Sequence, residues 1–218
     1  MQVAALSLLI NLPLAILVAY VLARYKFPGT KLLNGVVYLP LVLPPVVTGY
    51  LLLLTFSTEA PLGAWLQDRF GLVFAFRWTG AALAAGVMGF PLAVGAIRLS
   101  IETVDRRIEA AASTLGAHQV WIFCTITLPL IVPGIITGAI LAFARALGEF
   151  GATIVFVSNI RGMTQTLPLA IYSLTQVPGK EMAALRLLII SVTLAFAALV
   201  ASEVGSRVVN RRLRGDDD

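Results

Sequence analysis

The sequence predicts an all-α integral membrane protein with five transmembrane helices, and three observations carry that expectation. Of its 218 residues, 59% are hydrophobic and 12% charged, whereas soluble domains carry about 25% charged residues. The apolar stretches reach about 20 residues, the length a helix needs to cross a bilayer. They are too long for barrel strands, and backbone groups in lipid must be satisfied within the segment, so the spans are read as helices.

The elements follow in order. "VAALSLLINLPLAILVAYVLA" (3–23) lacks a basic lead and a small-residue cleavage site, so it is expected to be a retained span rather than a signal peptide. A short basic linker, "RYKFPGTK", leads to "GVVYLPLVLPPVVTGYLLLLTF" (35–56). The aromatic, nearly neutral stretch "STEAPLGAWLQDRFGLVFAFRW" has the composition of an interfacial loop. The third span is "TGAALAAGVMGFPLAVGAIRL" (79–99), the fourth "PLIVPGIITGAILAFARALGEFG" (129–151) and the fifth "MAALRLLIISVTLAFAALVASEV" (182–204). Residues 1–207 are taken as the membrane domain and 208–218 as a basic tail with an acidic end.

Prolines interrupt four spans: Pro13, then Pro40, Pro44 and Pro45, then Pro91, then Pro133. Each removes a backbone donor and bends or breaks its helix. Two explanations stand: membrane helices are rich in proline generally, and broken helices can line a transport path. "LPLVLPPVVTG" (39–49) and "LPLIVPGIITG" (128–138) agree at six of eleven positions. They are either equivalent half-helices, presenting Thr48 and Thr137 inward, or a convergence of apolar composition.

The formal charge of +5 reports orientation rather than a nucleic-acid partner. Arg24, Lys26, Lys31, Arg98, Arg106 and Arg107, with Arg207, Arg211, Arg212 and Arg214, fall on one side of the five spans. Arg69, Arg77, Arg161 and Lys180 fall on the other. Cytoplasmic loops carry the excess of Lys and Arg, so the N-terminus is expected outside and the C-terminus in the cytoplasm.

Several chemistries have no residues to support them. There is no GxxxxGK[ST] phosphate loop, so ATP binding in the usual way is not expected of this chain. One cysteine (Cys124) and one histidine (His118) leave no disulfide and no expected metal site. No GxSxG elbow or paired intramembrane carboxylates appear, and a secondary transporter would need such carboxylates or a sodium site at its broken helices. Glu149 is the acidic residue well inside a span, one turn after Arg145. The pair either neutralises itself or presents Arg145 to an anionic solute near an outer gate. Further donors for such a solute are Thr48, Thr137 and Thr153.

The stretch "RRIEAAASTLGAHQVWIFCTITLP" (106–129) is polar among oil. Ile101, Val104, Ile108, Ala112 and Leu115 recur at helical spacing, with Asp105 placed to cap and Gly116 to stop the helix. Local charges balance, so a groove in another protein suits this helix better than a lipid surface.

The stretch resembles the EAA loop of bacterial ABC-transporter permeases. Gly116, nine intervening residues, Ile126, Leu128 and Pro129 follow that pattern, while Glu109 stands one place before the family's glutamate position, which Ala110 fills. "FPGT", "LPLVLPPVVTGYLLL", "FARALGEFGATIVFVSNI" and "TQTLPLAIY" resemble the molybdate permeases of this superfamily; sulfate or thiosulfate permeases share the layout but fit less well. The resemblance implies a type I importer permease fold in the prokaryotic cytoplasmic membrane. It implies a coupling loop at about 100–129, in which Arg106, Glu109, Ala110, Ala111, Leu115, Gly116, Ile126, Leu128 and Pro129 dock a partner. The implied partners are a second copy of the chain, two cytoplasmic ATPase subunits that hold ATP and magnesium, and an external binding protein for molybdate or tungstate. No cofactor is implied for this chain itself.

Overall fold

The computed structural model describes residues 2–214, with side chains to residue 200. The acidic end assigned to the tail, residues 215–218, lies outside the described residues, as do the side chains of Arg207, Arg211, Arg212 and Arg214. Every regular element among the described residues is helical.

Helix α1 (Gln2–Arg24) matches the first expected span and stays continuous through Pro13. The second does not form one span. The chain makes α2 (Thr30–Val42) and α3 (Pro45–Phe56), and the second axis turns 117° from the first. Two consecutive prolines cause the break. A residue before proline is pushed out of the helical region, and both Leu43 (ψ 141°) and Pro44 (ψ 136°) are extended. Pro45 then opens α3 at a position where its missing N–H costs nothing.

The half-helix equivalence suggested by the repeated "LPL" motif is overturned by the same comparison. Residues 39–49 straddle the break, whereas 128–138 lie inside the unbroken helix α8 (Leu128–Leu147). In the second copy Gly134 follows Pro133, so no second proline forces the backbone out of the helix.

After α4 (Pro61–Phe70) comes α5 (Trp78–Thr103), the central element, which packs along both α1 and α8. Its buried residues are mostly small: Gly80, Ala81, Ala84, Ala85, Gly89 and Ala93. Small residues let backbones approach where lipid removes the ordinary hydrophobic drive between helices. Two thirds of α5's most apolar window is buried (67%), against 6% for α11 (Glu181–Arg214), which therefore sits at the periphery. Helix α11 runs without a break across the domain limit drawn at residues 207 and 208.

Residues 152–181, expected as an external loop, are partly folded into the core. Helix α9 (Gly151–Val157) buries Ala152, Thr153, Phe156 and Val157 to 1% exposure or less and packs against α3. The approach is close: a Cβ on Gly49 would stand 2.4 Å from the Ala152 carbonyl oxygen. Helix α10 (Leu167–Thr175) then leads to α11. Among the described residues, four helical stretches are long and apolar enough to span a membrane, or five if α2 and α3 count as one broken span.

Candidate functional site

The polar stretch forms its own short helix, α6 (Arg106–Thr114), with no buried residue. Val104 leaves the helical region, and the Asp105 carboxylate accepts a 2.9 Å hydrogen bond from the Arg107 N–H, capping the new helix. The expected apolar stripe is therefore split. Ile101 and Val104 end α5 inside the core, while Ile108 (49% exposed) and Leu115 (89% exposed) lie on the outside of α6. At its other end Gly116 takes φ +86°, and the Ala117 N–H reaches back to the Ala112 carbonyl at 3.2 Å. That bond and the left-handed glycine make a Schellman stop.

Helix α7 (Gln119–Ile122) follows, then a π turn over Phe123–Thr127 that runs straight into α8. Pro129 lies in the first turn of α8 and has no N–H for the carbonyl four residues back. The widened turn, closed by the Leu128 N–H on the Phe123 carbonyl, absorbs that mismatch. Ile126 and Leu128 are half-buried at this junction; Arg106, Ala110, Ala111 and Pro129 are exposed.

Glu109 points inward, unlike the rest of α6. Its Oε1 accepts from Arg24 Nη2 at 2.9 Å and from the Thr127 hydroxyl at 2.7 Å. Arg106 Nη2 donates to the Ala23 carbonyl at 3.0 Å. The C-terminal end of α1, the N-terminal end of α8 and the whole of α6 thus meet at one end of the bundle. Arg24 and Thr127 were absent from the expected site. Arg24 registered only as a charge that reports orientation, and nothing in the spacing of Thr127 marks it.

At the opposite end of α8 the second cluster gathers. Arg145, in the last turn of α8, pairs with Glu149, which lies past the helix end at Leu147 and not inside the span expected at 129–151. The other Glu149 oxygen accepts a 2.8 Å bond from the Ala152 N–H at the start of α9. Glu149 is 2% exposed and the neighbouring Thr153 1%. Thr48 joins this group from α3: it is 5% exposed and its hydroxyl has no hydrogen-bond partner. Its neighbours Pro45 and Gly49 touch Gly151 and Ala152 across the α3–α9 crossing. Thr137 does not reach this group. It lies two turns before Arg145 on α8, and its hydroxyl donates to the Pro133 carbonyl of its own helix at 2.9 Å.

A recess of about 410 Å³, lined by Gln2, Trp78, Leu147 and Thr166 among others, opens at this end. Among the described residues no group of histidine, cysteine or carboxylate side chains is placed to hold a metal ion.

A polytopic bundle with one proline-broken span, a separate polar helix at one end and a half-buried ion pair toward the other fits a membrane transport component better than an anchor. The chain belongs to the family of binding-protein-dependent transport system inner membrane components, which residues 11–214 match. It is thus a permease subunit of the ABC-importer class, situated in the inner membrane. It is 55% identical over 212 residues to the molybdenum transport system permease protein ModB of Escherichia coli K12, covering 97% of this chain and 93% of that protein. To the sulfate transport system permease protein CysT of the same organism it is 35% identical over 198 residues, covering 89% and 71%. The crystal structure of a bacterial alginate ABC transporter, in complex with an alginate pentasaccharide-bound periplasmic protein, shares the fold. There the TM-score is 0.72 at 21% identity, over 95% of this chain and 76% of that one.

Proposed function

We propose that this chain is the transmembrane permease of an ATP-driven importer that carries molybdate, or the closely similar tungstate, into the cytoplasm. The observation that carries the substrate is the gap between 55% identity to a molybdenum permease and 35% to a sulfate permease of one organism. In this reading α6 lies in the cytoplasm, the N-terminus lies outside, and ATP and magnesium are bound by two soluble ATPase subunits. Support for that docking comes from α6 itself, which is capped at both ends and leaves Ile108 and Leu115 uncovered by the chain. A second copy of the permease completes the path, since one bundle of four or five spans gives little room for an enclosed channel. The recess at the far end is the side where an oxyanion-binding protein delivers its cargo; the alginate transporter was crystallised with a periplasmic protein that holds an alginate pentasaccharide.

The chemistry of the path follows from the cargo. Stripping water from a doubly charged oxyanion is costly unless donors replace it. A strong fixed cation would hold the ion, so a half-neutralised one suits passage better. Arg145, 27% exposed at its side chain and balanced by the buried Glu149, fits that role. Thr48 and Thr153, buried on α3 and α9, are the hydroxyl candidates, each of which must open toward the path to serve, and Thr137 contributes only if its hydroxyl leaves the Pro133 carbonyl. An ion-coupled carrier would need a free intramembrane carboxylate or a sodium site at a broken helix; Glu149 is not free, being held by Arg145 and the Ala152 N–H.

The substrate is tested by placing this permease, with its ATPase and binding protein, in a strain lacking its own molybdate permease. Uptake of labelled molybdate should be restored and should compete with tungstate but not with excess sulfate. Competition by sulfate at equal concentration would reassign the importer.

A further inference from the structure

We infer that Glu109 is a positioning residue that latches the docking helix to two span helices at once, so that movement of α6 reaches α1 and α8 together. The inference rests on the importer reading above. It starts from what holds α6 in place. No residue of α6 is buried, so apolar packing does not fix it. Its ties to the bundle are polar: Arg24 and Thr127 on Glu109, and Arg106 on the Ala23 carbonyl.

The Glu109 carboxylate takes both of its donors on one oxygen, and they come from different helices. Arg24 ends α1, and Thr127 closes the π turn that leads into α8. The site is largely shielded from water: the side chains of Arg24 and Glu109 are 8% and 17% exposed, and Thr127 is 0% exposed. Hydrogen bonds to an ionised carboxylate are shorter and stronger than neutral ones, and low local dielectric strengthens them further. A carboxylate placed one residue later on α6 would project about 100° around the helix, away from these donors. The glutamate's position thus decides between an outward contact and this internal one.

The π turn gives the latch its consequence. Its i→i−5 bond at Leu128 is a local widening that an α-helix does not need, and such turns concentrate at functional positions. Thr127 is the residue where the turn, the start of α8 and Glu109 meet. Without this bond α6 would reach α8 only indirectly, through α1 or through the chain of residues 115–127, and its displacement could be taken up by that segment. With it, displacement acts directly on α8, whose far end carries Arg145.

The test uses the complete transporter in proteoliposomes, with molybdate-loaded binding protein, and reads ATP hydrolysed per molybdate imported. Thr127→Val is nearly isosteric and severs only the α8 branch; Glu109→Ala removes both. Each should co-purify with the ATPase, and each should raise ATP consumed per molybdate by at least about fivefold, a coupling loss at the low end of the range for linked sites. Arg24→Glu alone should uncouple likewise. Arg24→Glu combined with Glu109→Arg reverses the pair, and with the new guanidinium donating to the Thr127 hydroxyl oxygen both branches re-form. The ratio should then return to within about twofold of the wild type, as a directly interacting pair does.

Three results would overturn the latch: an unchanged ratio in Thr127→Val and Glu109→Ala, loss of ATPase co-purification in Glu109→Ala, or no recovery in the double variant. The second result would mean that the carboxylate meets the ATPase instead. Loss of folded protein in Arg24→Glu, in Glu109→Ala and in the double variant is a fourth such result, and would make the pair structural. Failure of the importer reading shows separately, as a wild-type complex that imports no molybdate.

Discussion

Gly116 sets the direction in which the docking helix presents Leu115, and its substitution separates conformation from packing. At φ +86° the residue lies where a β-branched side chain is strongly disfavoured, yet a Cβ built there would have no atom within 4 Å. Gly116→Val therefore meets no steric neighbour; its whole cost is the backbone conformation, about 1–3 kcal/mol. That range shifts the equilibrium between the native turn and its alternatives by about 5–150-fold against the native turn. Because α6 has no buried residue, the loss falls on the aim of the helix and not on the core. The purified variant should keep its yield and its unfolding temperature in detergent, while molybdate-stimulated ATP hydrolysis of the assembled complex falls, by up to about 150-fold where the shifted equilibrium empties the native turn. Gly116→Asn is the control, because asparagine tolerates the left-handed region, and it should retain most of the stimulation. Normal coupling in Gly116→Val, or an equal loss in Gly116→Asn, would refute the reasoning.

Arg145→Gln should lower molybdate uptake while leaving assembly with the ATPase intact; loss of folded protein would show instead that Arg145 chiefly serves the buried Glu149. Gly49→Val should destabilise the permease by about 1–3 kcal/mol, because its Cβ would lie 2.4 Å from the Ala152 backbone oxygen, and a thermal unfolding scan in detergent would read this as a lowered midpoint. Single cysteines at Ser113 and Gln67 in a Cys124→Ala background should react with an impermeant thiol reagent from opposite faces of the membrane. Labelling of both from outside would contradict the proposed orientation.

The helical membrane class was legible because it depends on the length and composition of apolar runs, which tertiary contacts do not alter. The caps of α6 were legible for a similar reason: Asp105 and Gly116 act within a few residues of themselves. What sequence reasoning missed depends on contacts between distant residues. Glu109 sits 85 positions from Arg24 and 18 from Thr127, and no periodicity links them. The bend at Leu43 and Pro44 was within reach, since paired prolines forbid the helical region at two successive residues, but the length of residues 35–56 argued for a single span. Helix α9 was hidden differently. Its seven residues are too few to register as a span, and its burial arises from the close approach of Gly49 and Gly151 to their neighbours. The apolar series from Ile101 to Leu115 misled because helical spacing continued across the cap at Asp105.

The central claim is that this chain moves molybdate only as the permease of an ATP-driven complex. Its most direct test is molybdate accumulation in proteoliposomes containing this permease and its ATPase, with binding protein outside and ATP and magnesium inside. Molybdate should accumulate above the external concentration, with a requirement for hydrolysable ATP, and accumulation should vanish when the ATPase is omitted. Uphill uptake driven by a proton or sodium gradient, with no ATPase present, would contradict it.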